Sequence, residues 1–517
     1  MDLKNLLYFT IQRNPDREAV VEGNKRLTRT QWGERIYGLA NSLKKLGIKK
    51  GDRVSLVLKN HEETVTAFMA LHCIGAVAVM CNPRSVSERV KYYLKDSESK
   101  GVIFEKETSQ AVSNALVDIP GCSIHISIDE ADPSKNGWFS FDKLCEEGSH
   151  EEPTDEVSES DIGIFIYTSG TTGEPKGVPV THGMSFHRTL ANSIGGGCGY
   201  GFEVDVPKVI GLMPLFHTVG IHGSFLHAVF YDGTYYPIAD FIPDNVISVF
   251  EKEKITHSFA SPTHFHVLLS AKTWDKSKFA SVKQIMYAGA PMPDAQVERC
   301  VKEFSPANFI HIYGATETYF MGCLQNGGNY PSTLGPTIFN KARVVKLGGE
   351  PDDIAKAGEE GEFITSLRGP ETFKGYWNQP DKTAEVCRKG WYYTKDSAVK
   401  LENGLIRITG RTDDMILSGA ENIHPAEVEN YLLRHPNVAD AAVVGVPDER
   451  WGQIVKAFVV LREGETSAEE LDKFFKESSS IEAWKRPKKY QFLKSLPRTP
   501  SGKVQRFALR RMEGGLE

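Results

Sequence analysis

Tyr167-Thr168-Ser169-Gly170-Thr171-Thr172-Gly173-Glu174-Pro175-Lys176-Gly177 follows directly on the apolar run 162–166, Ile-Gly-Ile-Phe-Ile. A short apolar run that ends in a Gly/Ser/Thr loop predicts a buried strand that delivers the loop to one end of a sheet. Glycines let the backbone approach a ligand closely, hydroxyls and free amides donate to phosphoryl oxygens, and Lys176 adds fixed positive charge, so the loop suits a polyphosphate. It is not the Walker sequence, in which Ser or Thr follows the lysine and a helix starts there. Composition alone would make the same run a flexible surface turn, so the order of its residues carries the weight.

Outward from this loop, strands alternate with helices. Trp32, Ile36, Leu39, Leu43 and Leu46 recur at intervals of three and four, with Gly47 at a C-cap position, and a strand follows at 54–58. The run FIHIY ends at Tyr313, and a helix opened by Pro293 and Asp294 sets Val297, Cys300, Val301 and Phe304 on one face. Such interleaving predicts an α/β fold of doubly wound, largely parallel sheets. Towards the C-terminus the units shrink to strands at 441–446 and 456–461 and a helix begun by a capping box from Ser467 to Glu470, with Leu471, Phe474 and Phe475 inward. This predicts a small α+β domain. Its joint falls in Gly410-Arg411-Thr412-Asp413-Asp414, dividing the chain into 1–410 and 411–517.

Length and charge bound the rest. A chain of 517 residues exceeds what one core organises, and 40% hydrophobic with 25% charged residues is ordinary for a globular protein. A net charge of −6 argues against nucleic acid as a partner, because that needs a broad positive field. Eight scattered cysteines without CxxC or a zinc-like histidine cluster predict reduced thiols in a cytoplasmic protein. No segment has the length of a membrane span, so stable membrane insertion is not expected; a homodimer is compatible with the sequence.

The loop at 167–177 resembles the signature loop of the adenylate-forming superfamily of acyl-CoA synthetases, peptide-synthetase adenylation domains and firefly luciferases. Further segments resemble that family's motifs in the family's order: Leu212-Met213-Pro214-Leu215-Phe216-His217, Tyr313-Gly314-Ala315-Thr316-Glu317, Gly361-Glu362, the run from Trp391 to Asp396, Gly410-Arg411-Thr412-Asp413 and Pro500-Ser501-Gly502-Lys503. Among its branches, GLMPLFHTVG, AGAPMPDA, DERWGQ and KRPKKY are most similar to aryl-CoA ligases of the 4-chlorobenzoate type. The resemblance spans nearly the whole chain. It implies a large N-terminal domain of doubly wound sheets with a small barrel-like β portion, followed by a small mobile α+β C-terminal domain.

It also implies a reaction: ATP, Mg2+ and coenzyme A converting a carboxylic acid to its adenylate and then to its thioester. Lys503 resembles the lysine that stabilises the α-phosphate, and Glu317 the magnesium-coordinating glutamate at a strand end. Thr168, Ser169, Gly170, Thr171, Thr172, Gly173 and Lys176 resemble the phosphate loop. Gly289, Ala290 and Pro291 resemble the adenine wall, with Tyr313, Gly314, Ala315 and Thr316 beside it. Asp396 resembles the ribose-binding carboxylate, with Arg411 next to it. His217 resembles a residue that orients the substrate carboxylate, although a histidine among apolar residues is more often a satisfied core group. By motif match the acyl pocket takes Phe186, His217, Thr218, Val219, Phe259, Ala290, Gly314, Tyr319 and Phe320, an aromatic-lined cavity with no charged group and with the para position of a ring crowded by Tyr319 and Phe320. For coenzyme A the resemblance points to Arg84, Gly419, Ala420, Trp451, Trp484, Arg486 and Lys488, where cations can partner phosphates and tryptophan can stack. Ala420 stands where a second glycine is usual. Asp413 resembles the hinge.

Four other functions compete. A short- or medium-chain fatty acyl-CoA synthetase shares every ATP motif. An amino-acid adenylation module serving a carrier protein needs a carboxylate for the substrate ammonium, and Phe216-His217-Thr218-Val219-Gly220 offers none. A luciferase-type oxygenase fits the same fold. A non-catalytic nucleotide-binding protein would have little use for Lys503 on a separate domain.

Overall fold

The computed structural model describes residues 1–129, 138–168, 174–195, 206–290, 292–330, 333–335, 337–418, 421–462, 466–477, 481–498 and 503–512. Four sheets organise them. A seven-stranded sheet runs in the order Trp138–Ser140, Ile124–Ser127, Gly101–Phe104, Arg53–Val57, Val77–Met80, Ile162–Thr168, Lys176–Thr181, parallel except for the last pair. An eight-stranded sheet runs Gly322–Leu324, Asn308–Tyr313, Gln284–Tyr287, His257–Ala260, Lys208–Gly211, Thr234–Pro237, Glu18–Glu22, Lys25–Thr28, with antiparallel pairs only at its two ends.

The period-two alternation of strands explains how the two large sheets share a core. Val54 and Leu56 face a central layer of helices while Val57 faces outward, and from the other sheet Val20, Val209 and Tyr235 enter the same central cluster. The helix Glu62–Cys73 lies in that layer and is buried along almost its whole length, which is why it is apolar all round rather than striped. Trp32, on the helix Arg29–Lys45, packs into the same cluster and donates its indole N–H to Thr66 Oγ1 at 2.9 Å. Burying a side chain of that size contributes at least about 1.5–3 kcal/mol. The helix ends as its sequence implies, with Gly47 at φ +95° beyond the cap, a conformation that favours glycine.

A third sheet is antiparallel: Thr333–Leu334, Ile406–Arg411, Trp391–Lys400, Glu360–Ser366, Ala342–Lys346, with Cys387–Arg388 paired to Trp391–Lys400. The fourth belongs to a separate C-terminal domain, where Val438–Asp448 pairs with Gly452–Leu461, flanked by Ile416–Ser418 and Lys489–Phe492. The capping box at Ser467 and Glu470 is formed, and Leu471 and Phe475 are buried with Val443 and Val459. One segment differs from the polar linker expected at 410–414: Gly410 and Arg411 continue the strand, Arg411 standing opposite Asp396, and only Thr412–Asp414 forms a short 3-10 turn. The ladder extends because Arg411 has a carboxylate to pair with across it. Seven described cysteines are free thiols, and no helix of the described residues is long and apolar enough to cross a membrane.

Candidate active site

Ile162–Thr168 and Lys176–Thr181 pair antiparallel, with Thr168 opposite Lys176. Ser169, Gly170, Thr171, Thr172 and Gly173 lie outside the described residues, as do Pro291, Gly419 and Ala420. At the base of the loop, Lys176 Nζ donates to the Tyr376 hydroxyl at 3.2 Å and sits 4.3 Å from its ring centroid. The Tyr376 hydroxyl in turn donates to Glu317 Oε1 at 2.6 Å. Burial lowers the pKa of Lys176, and Glu317 opposes the shift. Glu317 Oε2 accepts no hydrogen bond from the described residues. An oxygen ligand of this kind suits a hard divalent cation such as Mg2+. Glu317 stands four residues beyond the strand Asn308–Tyr313, in the turn that follows, rather than at the strand end itself.

That turn is tight. A Cβ on Gly314 would meet the carbonyl oxygen of Tyr319 at 1.6 Å, so only glycine fits there. Tyr319 itself adopts φ +54°, the left-handed region. The turn is closed by Tyr319 N–H to Ala315 O at 2.7 Å and Met321 N–H to Tyr313 O at 3.0 Å.

Register in the antiparallel sheet builds the next corner. Asp396 and Arg411 are cross-strand partners, and Arg411 Nη1 donates to Asp396 Oδ1 at 3.0 Å and to Thr394 O at 3.1 Å. The Tyr313 hydroxyl donates to Asp396 Oδ2. Burial opposes the charge on Arg411, but Asp396, Tyr313 and Asp413 together raise its pKa. Gly289, at φ +91°, and Ala290 follow the strand Gln284–Tyr287 on the other side.

Lys503 enters from the C-terminal domain. A bridge between Arg498 and Val504 closes the segment that carries it, and Arg506 anchors the following helix to Glu429 at 2.6 Å. Its side chain is exposed, but surrounding protein lowers its pKa, with Arg411 lowering it further and Asp396 and Glu317 raising it. His217 feels the same cation: burial first, then Lys503, brings its pKa down to about 4. The imidazole is therefore neutral at physiological pH, which the sequence did not decide. Its Nε2 has no hydrogen-bond partner among the described residues. His217 stands just before a π-helical turn, Val219–Phe225, a local irregularity common at functional sites.

Val219, Phe259, Tyr319 and Phe320 share one apolar cluster with Ala288 and Ile312. Phe186 packs instead against Phe230, ring centroids 6.0 Å apart. Arg188 departs from the uncharged wall expected here. It is fully buried, donating from Nη1 to Thr218 Oγ1 at 3.3 Å, from Nη2 to Thr316 O at 2.9 Å and from Nε to Glu371 O at 3.0 Å. Arg188 and Tyr376 are functional candidates that sequence reading missed; the nearest signal was a charged residue inside the otherwise buried helix His182–Gly195.

The expected coenzyme A residues lie mostly at the surface. Trp451 and Trp484 are 46% and 40% exposed, each with a cation near its ring, Arg450 at 5.0 Å and Lys485 at 4.9 Å. Arg84 and Lys488 are exposed. Two members of the basic run already have acidic partners: Lys485 pairs with Glu427 at 2.6 Å and Arg486 with Asp472 at 3.1 Å. Asp413 sits 3.8 Å from both Lys395 and Arg411.

Residues 8–377 match the family of AMP-binding enzymes and residues 427–503 the C-terminal domain of AMP-binding enzymes. The chain is similar to a 4-chlorobenzoate–CoA ligase of Arthrobacter, 33% identical over 515 residues that cover 98% of this chain and 95% of the relative. Among solved structures it is similar to the o-succinylbenzoate CoA synthetase of Bacillus subtilis in complex with its acyl-adenylate intermediate, at 26% identity and a TM-score of 0.83, covering 98% of each chain. An anthranilate CoA ligase in complex with anthranoyl-AMP shares the fold at 24% identity and a TM-score of 0.91, covering 100% of this chain and 98% of that one.

Proposed function

This chain belongs to the AMP-binding enzymes, and we propose that within that family it joins a compact aromatic carboxylic acid to coenzyme A. It is an AMP-forming acid–thiol ligase whose substrates are the acid, ATP and coenzyme A. One observation carries the assignment of its site: a lysine of the C-terminal domain lies within electrostatic reach of Asp396, Arg411, Glu317 and His217 of the large domain.

A carboxylate has no useful leaving group. It must first attack the α-phosphorus of ATP, expelling pyrophosphate and forming a mixed anhydride, after which the thiol of coenzyme A displaces AMP. Lys503 would face the charge that gathers on the α-phosphoryl oxygens, where a positioned cation stabilises it electrostatically. Glu317 would hold a magnesium ion, which would supply Lewis-acid charge at this step. Asp396 uses two of its roughly four acceptor positions on Tyr313 and Arg411, leaving two for the ribose hydroxyls. Neutral His217 can hydrogen-bond the entering carboxylate through Nε2 without holding it in a tight ion pair. The turn Thr412–Asp414, outside any strand, supports Asp413 as the pivot between half-reactions, and the exposed faces of Trp451 and Trp484 support a nucleotide contact for coenzyme A.

The aryl preference rests on Phe259, Tyr319 and Phe320 gathered beside Val219. Free thiols among the described cysteines support residence in the cytoplasm. The homodimer compatible with the sequence is tested by sedimentation. A panel of acids assayed for coenzyme A-dependent AMP formation tests the substrate: benzoate-like acids should exceed palmitate in kcat/KM. Preference for a long-chain acid over every compact ring acid would overturn the aryl assignment and leave the ligase assignment standing.

A further inference from the structure

The acyl wall has a hydrogen-bond polarity that its residue types do not reveal. Thr218 Oγ1 lies 3.3 Å from Arg188 Nη1 and 3.0 Å from His222 Nδ1. A guanidinium only donates, so Oγ1 is the acceptor in the first contact. His222 Nδ1 also lies 3.0 Å from the carbonyl oxygen of Thr218, which only accepts, so Nδ1 must carry the ring proton. The other ring nitrogen, Nε2, is 3.2 Å from Ser185 Oγ. Burial, with Arg188 nearby, holds the His222 pKa well below its usual range, so the ring is neutral and Nε2 accepts from the serine hydroxyl. Thr218 Oγ1 is therefore an acceptor towards both neighbours. Its two lone pairs are engaged, and the hydroxyl proton is the only hydrogen-bonding capacity it has left.

By motif match Thr218 belongs to the acyl wall, where that proton is available to a ligand. Arg188 and His222 occupy the inner side of Thr218, and both also border Tyr319, the guanidinium carbon 5.6 Å and the imidazole centroid 5.3 Å from its ring. Thr218 is 7% exposed, whereas Arg188 and His222 are fully buried. A cation that donates to a hydroxyl oxygen polarises the O–H bond and makes it a stronger donor.

We propose that Thr218 is a specificity-determining donor that selects acids carrying a hydrogen-bond acceptor on the acyl body, hydroxylated aromatic acids before unsubstituted or halogenated rings of similar size. Arg188 is a positioning residue that acts through Thr218. This inference rests on the acyl-pocket reading above and sharpens its substrate class. A site built to hydrogen-bond a substrate group discriminates strongly against the analogue that lacks it.

The test compares kcat/KM for 2-, 3- and 4-hydroxybenzoate with that for benzoate and the chlorobenzoates, in the unmodified enzyme and in Thr218→Val, Thr218→Ser and Arg188→Lys, with thermal melts as the folding control. The best hydroxybenzoate should exceed benzoate by about tenfold or more in the unmodified enzyme and in Thr218→Ser, which keeps the hydroxyl. Thr218→Val should lower that ratio by a similar factor, and Arg188→Lys should lower it through KM more than kcat. Should Thr218→Val fail to fold, the ratio in the unmodified enzyme and Thr218→Ser still decides. A ratio unchanged by Thr218→Val, or benzoate preferred to every hydroxybenzoate, overturns the inference while the aryl reading survives. Turnover of aliphatic acids with no aromatic acid accepted defeats the aryl reading instead, and the role of Thr218 is then decided by the same ratio for a hydroxy-fatty acid against its parent.

Discussion

The proposed nucleotide corner and the proposed acyl wall are built in opposite ways. Around the nucleotide the charged groups are tied to protein: Asp396 holds Tyr313 and Arg411, Glu317 holds Tyr376, and Tyr376 holds Lys176. Along the proposed acyl wall the charge is turned inward, in Arg188, and His217 Nε2 has no protein partner among the described residues. ATP is the same in every turnover, so dipoles fixed in advance cost no reorganisation when charge develops. The acid is the variable partner, and a wall that leaves its outward hydrogen bonds to the ligand can be retuned without disturbing the corner.

That contrast breaks most sharply at Lys503. Lys503→Ala should slow adenylate formation by over about a hundredfold, by the same factor for every acid, and leave thioester formation from a supplied acyl-adenylate largely intact. Stopped-flow measurement of each half-reaction checks this, and equal damage to both steps would remove the assigned role. Asp413→Pro fixes φ in the turn between the domains and should slow the second half-reaction by about tenfold or more while adenylation survives better; single-turnover assays with an unaffected second step would end the case for a pivot. On the acyl side, Phe320→Ala should shift the ratio of kcat/KM for para-substituted over unsubstituted benzoate by about tenfold. An effect of equal size on all acids would instead place Phe320 outside the pocket.

A separate prediction concerns stability. Glu371 is fully buried with neither carboxyl oxygen partnered among the described residues. Burial pushes its pKa up to about 8, with Arg188 opposing. The folded state therefore retains a proton that the unfolded chain gives up above its ordinary value near 4.5. Stability falls as pH rises between those two values, by about 1.4 kcal/mol per unit, and levels off above 8. Glu371→Gln should flatten this dependence in denaturant titrations at pH 5, 6.5 and 8. A slope the same as that of the unmodified protein would mean that Glu371 ionises normally.

Part of the proposed nucleotide corner lies at strand ends that apolar runs reveal, Thr168 after Ile162–Ile166 and Tyr313 at the end of FIHIY. The capping box at Ser467 was legible for the same reason, being a purely local signal. Arg188 was not. Its role depends on three acceptors from Thr218, Thr316 and Glu371, segments 30 to 183 residues away. Tyr376 likewise links Lys176 and Glu317 only through tertiary approach. The extra length of the strand ending at Arg411 was hidden because an Arg-Thr-Asp-Asp run has loop composition, and only the cross-strand carboxylate of Asp396 favours pairing.

The left-handed backbone of Tyr319 bears on how such an enzyme diverges. An L-residue with a Cβ in that region costs roughly 1–2 kcal/mol, and glycine avoids the cost. Removing the phenol ring widens the cavity whichever small residue replaces it, but glycine recovers part of the lost burial energy through the backbone, and asparagine, which tolerates the same region, loses less than alanine. The usual ranking of tolerated replacements is inverted at this position. Drift in substrate range has an inexpensive entry point there, and lineages that open the pocket should carry glycine or asparagine at 319 more often than alanine.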